Sequence, residues 1–118
     1  MPHITLQYTD NISPQNEFNH LFSEIHTLLS DNAGINPNNC KSRAIKLTNY
    51  YIGDGNKSNA FVHLELRIFQ GRTEVITQQI GNEILKLLQK HFDDRLENLN
   101  IQYTIEIIEM NPELYFKS

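Results

Sequence analysis

The sequence predicts an α+β domain in which two β-α-β units form one four-stranded sheet with two helices on one face. Three observations lead there. Residues 3–8 and 60–69 alternate apolar and polar side chains at strand period. Each stretch is followed by a run of apolar residues at helical spacing and then by a second strand pattern. The two halves also repeat. PHITL at 2–6 aligns with VHLEL at 62–66 at an offset of 60, and the stripe Leu21, Ile25, Leu28, Leu29 aligns with Ile80, Ile84, Leu87, Leu88 at an offset of 59.

In the first unit Ile4, Leu6 and Tyr8 share one strand face, opposite His3, Thr5 and Gln7. Ser13-Pro14 reads as a helix cap followed by proline at the first helical position. Phe18, Leu21, Phe22, Ile25, Leu28 and Leu29 then mark a buried helix stripe, and Asp31-Asn32-Ala33-Gly34 ends it. A polar connection containing Pro37 leads to a second strand, predicted over Arg43–Asn49 with Ile45 and Leu47 as its apolar residues. A loop of turn formers, residues 53–59, separates the units.

The second unit opens with Val62, Leu64, Leu66 and Ile68 alternating against Phe61, His63, Glu65, Arg67 and Phe69. After Gly71-Arg72, Thr73 is placed to cap a helix carrying Ile76, Ile80, Ile84, Leu87 and Leu88. Residues 93–100 close that helix, and Ile101, Tyr103, Ile105 and Ile107 form the last strand. Helices of about 16–20 residues between the strands of a unit suit right-handed parallel crossovers. Both helices then lie on one sheet face, and the other face needs cover, which predicts association. The boundaries expected are one domain over 1–118 with halves of about 1–58 and 59–118.

Composition narrows the function. With 118 residues, 39% of them hydrophobic and 27 of them Ile or Leu, the chain forms a thin core that buries roughly 65% of its unfolded surface. No apolar run approaches the ~18 residues of a membrane span. The N-terminus has no basic and apolar pattern of a signal peptide. A single cysteine excludes an intrachain disulfide and favours a reducing compartment. Fourteen acidic against ten basic side chains give a net charge of −4, with no field to attract nucleic acid. An anionic ligand must be held by a few local cations.

Candidate chemistry sits at the chain start, at the entry to the second strand and at the strand-to-helix junction of the second unit. Pro2 reads as an ordinary first strand residue, where proline is tolerated. After removal of Met1 it reads equally as a free secondary amine, whose pKa burial and nearby cations lower toward neutrality, making it a general base. With Met1 attached, its nitrogen is an amide and cannot be a base. Arg72, at a strand-to-helix junction, reads as a surface turn residue or as a bidentate carboxylate clamp beside a helix N-terminus. Lys41 and Arg43 form the close cationic pair of the first half. The five histidines lack metal-site spacing, with His20 and His26 six apart; His3 and His63 occupy equivalent repeat positions and read as structural. Cys40 reads as a plain thiol and residues 53–55 as a turn without a P-loop lysine. Tyr115 and Phe116 anchor the tail or wall a pocket.

Taken together, PHITL (2–6), SRAIKL (42–47), AFVHLEL (60–66) followed by GRT (71–73), KHF (90–92) and NPELYFK (111–117) resemble the 5-carboxymethyl-2-hydroxymuconate Δ-isomerase family of the tautomerase superfamily. The resemblance spans nearly the whole chain and keeps order and spacing. It implies a homotrimer with sheets facing inward and a cytoplasmic, cofactor-independent isomerase of aromatic catabolism. Its substrate is then a small anionic dienol or oxo-carboxylate, with no nucleic-acid or membrane partner. It implies Pro2 as the proton-transferring base, Arg72 as a carboxylate ligand, and Arg43 and Lys41 as further substrate-binding cations. Relatives carry arginine where this chain has Lys41, and a tryptophan-containing segment where it has Tyr50-Tyr51. Lysine keeps the charge but loses the bidentate fork. Another anionic substrate, or a non-catalytic trimeric binding module on the same fold, are the alternatives.

Overall fold

A computed structural model describes residues 1–13, 17–92 and 98–118. Strand β1 (His3–Thr9), helix α1 (Phe18–Ala33) and strand β2 (Lys41–Leu47) make the first unit; β3 (Asn59–Phe69), α2 (Glu74–His91) and β4 (Asn100–Met110) make the second. The sheet order is β2-β1-β3-β4. Strands within each unit pair in parallel across their helix, and the units join through the antiparallel pair β1–β3. Thr5 and Glu65, partners across that central pair, are themselves 60 residues apart.

Alternation makes the layers. Ile4, Leu6, Ala60, Val62, Leu64 and Leu66 are fully buried on the helix side of the two central strands. Leu21, Ile25 and Leu29 from α1 and Ile80, Ile84 and Leu88 from α2 close over them. Each such side chain contributes about 1.5–3 kcal/mol by leaving water. Phe18 and Phe22 pack against this core half-buried. The opposite sheet face carries His3, Thr5, Arg43, Ile45, His63 and Glu65, with no helix of the described residues over it.

Two expectations need correcting. Helix α1 starts at Phe18, with Glu17 as N-cap and no side-chain cap bond, so Ser13 does not cap it; Pro14 lies outside the described residues. Strand β2 spans Lys41–Leu47 rather than starting at Arg43, and Ile45 is 43% exposed on the open face. It is an edge strand, and the pairing of Lys41 with His3 extends it N-terminally. The other helix boundaries follow the sequence. Gly34, at φ 65°, ends α1 in the left-handed conformation that glycine adopts without steric cost, and its N–H donates to the Ser30 carbonyl. Thr73 Oγ1 accepts from Ile76 N–H at 3.3 Å and caps α2. That helix ends at His91; the closing segment predicted from residue 93 lies mostly outside the described residues.

Candidate active site

Pro2 is buried immediately before β1, and its carbonyl accepts from Lys41 N–H at 3.1 Å. A proline costs no ladder bond at the first strand position. Cys40 and Lys41 follow a single 3₁₀ turn, Pro37–Asn39, that Asn36 caps by accepting from Asn38 N–H. This turn brings the start of β2 beside the start of β1.

Arg72 reaches the same end of the sheet from β3. Gly71, at φ 122°, turns the chain out of the strand in a conformation that strongly favours glycine. The Arg72 guanidinium then lies between β3 and the end of α1. Nη1 donates to the Phe69 carbonyl at 3.0 Å and Nη2 to the Ala33 carbonyl at 3.4 Å. Its charge complements the negative end of the α1 dipole. Nε is buried without a hydrogen-bond partner among the described residues, and each terminal nitrogen keeps a second N–H, so the group retains donors for an anion.

Charge converges on the chain start. Burial holds the Met1 amine below its ordinary pKa, and Lys41, Lys117 and Arg72 push the same way while Cys40 opposes them. Burial likewise raises the Cys40 thiol, consistent with an inert cysteine. The structure therefore brings Pro2, Lys41 and Arg72 to one sheet end. Arg43 sits apart from Arg72, on the open face, where Nε donates to Thr5 Oγ1 at 3.3 Å and Nη2 to His3 Nδ1 at 3.0 Å.

Two residues gain weight over their sequence reading. His3 bonds both Arg43 and, through Nε2, the Tyr115 hydroxyl at 2.7 Å. Burial lowers its pKa, and Arg43, Lys41, the Met1 amine and Arg67 add to the effect. Lys117 was not singled out by sequence; the alternation of Tyr115 and Lys117 in the tail was the available signal. Among the described residues no group of three or more His, Cys, Asp or Glu side chains could hold a metal. Nor, among the described residues, is any helix long and apolar enough to cross a membrane.

Two β-α-β units sharing one sheet, with both helices on one face, are the tautomerase fold. The family described as 5-carboxymethyl-2-hydroxymuconate isomerase matches residues 2–118. An Escherichia coli protein named 5-carboxymethyl-2-hydroxymuconate Delta-isomerase is 31% identical over 99% of this chain and 93% of its own. The crystal structure of a 5-carboxymethyl-2-hydroxymuconate isomerase from Deinococcus radiodurans R1 superposes with a TM-score of 0.85 at 30% identity, covering 99% of this chain and 88% of that one. A fused 4-OT symmetric trimer shares the fold at 14% identity, with a TM-score of 0.71 over 96% of this chain and 91% of its own. The chain belongs to the 5-carboxymethyl-2-hydroxymuconate isomerase family and is an isomerase.

Proposed function

We propose that the protein ketonises a dienol carboxylate, 5-carboxymethyl-2-hydroxymuconate first among the candidates, through Pro2 after Met1 is removed. The neutral amine takes the proton of the substrate 2-hydroxyl, leaving a dienolate and a pyrrolidinium. The pyrrolidinium returns a proton to a distant carbon of the conjugated system, which completes the ketone and regenerates the base. Arg72 and Lys41 hold carboxylate and stabilise negative charge on the oxygen. No cofactor enters this balance. The carrying observation is the sheet end itself, where burial and three cations lower the pKa of the Met1 amine, surroundings that the adjacent Pro2 amine inherits once Met1 is removed.

The open sheet face supports assembly as a trimer with sheets inward, as does the likeness to a fold neighbour described as a symmetric trimer. Arg43 belongs to that covered face and serves substrate only in the assembly. The similarity to a named Delta-isomerase supports the substrate class, and the single cysteine, which favours a reducing compartment, supports a cytoplasmic setting. Turnover of the dienol by untagged protein tests the reading. Pro2→Ala abolishes most ketonisation and Arg72→Ala lowers kcat/KM by about 10–100-fold; full activity in both variants rejects the assignment.

A further inference from the structure

Helices α1 and α2 run antiparallel over the sheet. Ala33, the last residue of α1, and Thr73, the cap of α2, both adjoin Arg72. The opposite ends therefore meet about 27 Å away, at ~1.5 Å per residue along α2. There the His91 ring lies 5.5 Å from that of Phe18. A cavity of about 240 Å³ opens between these ends, lined by His20, Leu21 and Glu24 of α1 and by Leu87, Lys90 and His91 of α2. It belongs to the helix layer, so assembly through the open sheet face leaves it accessible.

The lining asks for one hydrogen bond and little charge. His91 is 4% exposed, and its Nε2 is buried with no hydrogen-bond partner among the described residues. Buried polar atoms are ordinarily paired, and a ligand that supplies the missing partner offsets the cost of desolvation. Leu21, which is buried, and Leu87 give the cavity apolar walls. Toward solvent, His20 Nε2 already meets Glu24 Oε1 at 2.8 Å. Lys90 is exposed and forms no ion pair among the described residues. Burial holds the His91 ring below its ordinary pKa, with His20 adding to the effect and Glu24 opposing it, so the ring is neutral at pH 7.

Size and chemistry then select the ligand. A cavity of about 150 Å³ holds benzene, so this one has room for a six-membered ring with a small substituent. A hydroxyl both donates and accepts, so it satisfies either tautomer of a neutral imidazole. A carboxylate only accepts; here it would lose its hydration beside Glu24. An ammonium only donates, and it would meet Lys90. We propose that the cavity between the far ends of α1 and α2 is a second ligand site, which takes a small neutral phenol with its ring against Leu21 and Leu87 and its hydroxyl on His91 Nε2. The site is separate from the Pro2 end and does not depend on Pro2 acting as a base.

Phenol, toluene and benzoate, each titrated into the ¹⁵N-labelled full chain and followed by NMR, test the proposal. Phenol moves the ring-nitrogen resonances of His91 and the amides of His20, Leu87 and Lys90, with a Kd of about 1 mM for a ligand of this size. Toluene has the same shape without the hydroxyl and binds about tenfold more weakly, as does benzoate. His91→Phe keeps an apolar wall, removes the ring nitrogen and brings phenol affinity down to that of toluene. The wild-type titrations decide the matter even where that variant fails to fold. Equal affinity for phenol and toluene, tighter binding of benzoate, or no response at His91 overturns the proposal. So does a phenol response confined to Gly71–Thr73, which would place the ligand at the Pro2 end.

Discussion

His3 and His63 stand sixty residues apart at matching places in two similar units, yet their surroundings differ. His3 accepts from Arg43, bonds the Tyr115 hydroxyl, and has its pKa lowered by burial and by the cations around it. His63 bonds Thr104 Oγ1 at 2.7 Å and faces Glu106 at 4.0 Å. The residue before His3 is the buried Pro2, and the residue before His63 is Val62, one more core side chain. The strand-to-helix turn differs in the reverse direction, because Gly71-Arg72-Thr73 of the second unit has no counterpart before α1. The fold is repeated, but in the proposed mechanism the chemistry is shared out, with the amine from one unit and the guanidinium from the other. Stability and function therefore respond differently to matched substitutions.

The largest contrast is expected at the paired positions 2 and 62. Pro2→Ala lowers kcat for dienol ketonisation by about 10²–10⁴-fold, the usual contribution of a general base, with the circular dichroism spectrum unchanged. Val62→Ala spares kcat and instead lowers the urea midpoint. Matched core positions are expected to agree instead. Ile25→Ala and Ile84→Ala each cost about 2–5 kcal/mol in denaturant unfolding, since both side chains are fully buried. A loss confined to one helix would break the symmetry of the core.

Acid exposes a further asymmetry. His91, at the end of α2, is 4% exposed, edge-on to Phe92 at 4.8 Å and 5.5 Å from Phe18, with no hydrogen-bond partner for Nε2 among the described residues. Burial lowers its pKa below 6.5, with His20 adding to the effect and Glu24 opposing it. His26, which bonds Ser42 Oγ, is lowered by burial too. The unfolded chain therefore takes up these protons first. Their contribution is complete above about pH 6.5 and is lost as pH falls through that value toward the lower folded pKa. Thermal unfolding at pH 7.5 and 5.5 should give a lower Tm at pH 5.5, and His91→Gln should narrow the gap.

The smallest effects separate the two helix starts. Thr73→Ala removes a cap bond and costs about 1 kcal/mol. Glu17, at φ −67° and ψ 144°, already has cap geometry but no side-chain cap bond, so Glu17→Ser gains about 0.5 kcal/mol. Chemical denaturation of both variants reads the opposite signs.

The same contrast explains what the sequence alone could reveal. Strict alternation in 60–69 and two helix stripes at an offset of 59 specify local periods, and those periods determine the layers. The start of α1 was misplaced because Ser13-Pro14 imitates a cap while Glu17 carries no cap signal. Strand β2 was displaced because KSRAIKL lacks alternation; its bounds come from pairing with β1. At the site, Pro2, Lys41 and Arg72 were legible as chain start, cation pair and turn. Arg43 looked equivalent to Lys41, but both of its hydrogen bonds tie it to β1 on the open face. The His3–Tyr115 contact joins residues 112 apart, and only the folded return of the tail brings them together.

The central claim is that the nitrogen of Pro2 is a free amine in the working protein. Intact-mass analysis of untagged protein tests it most directly. The account predicts a mass lacking Met1 throughout the population. Quantitative retention of Met1 would make that nitrogen an amide and contradict proline catalysis.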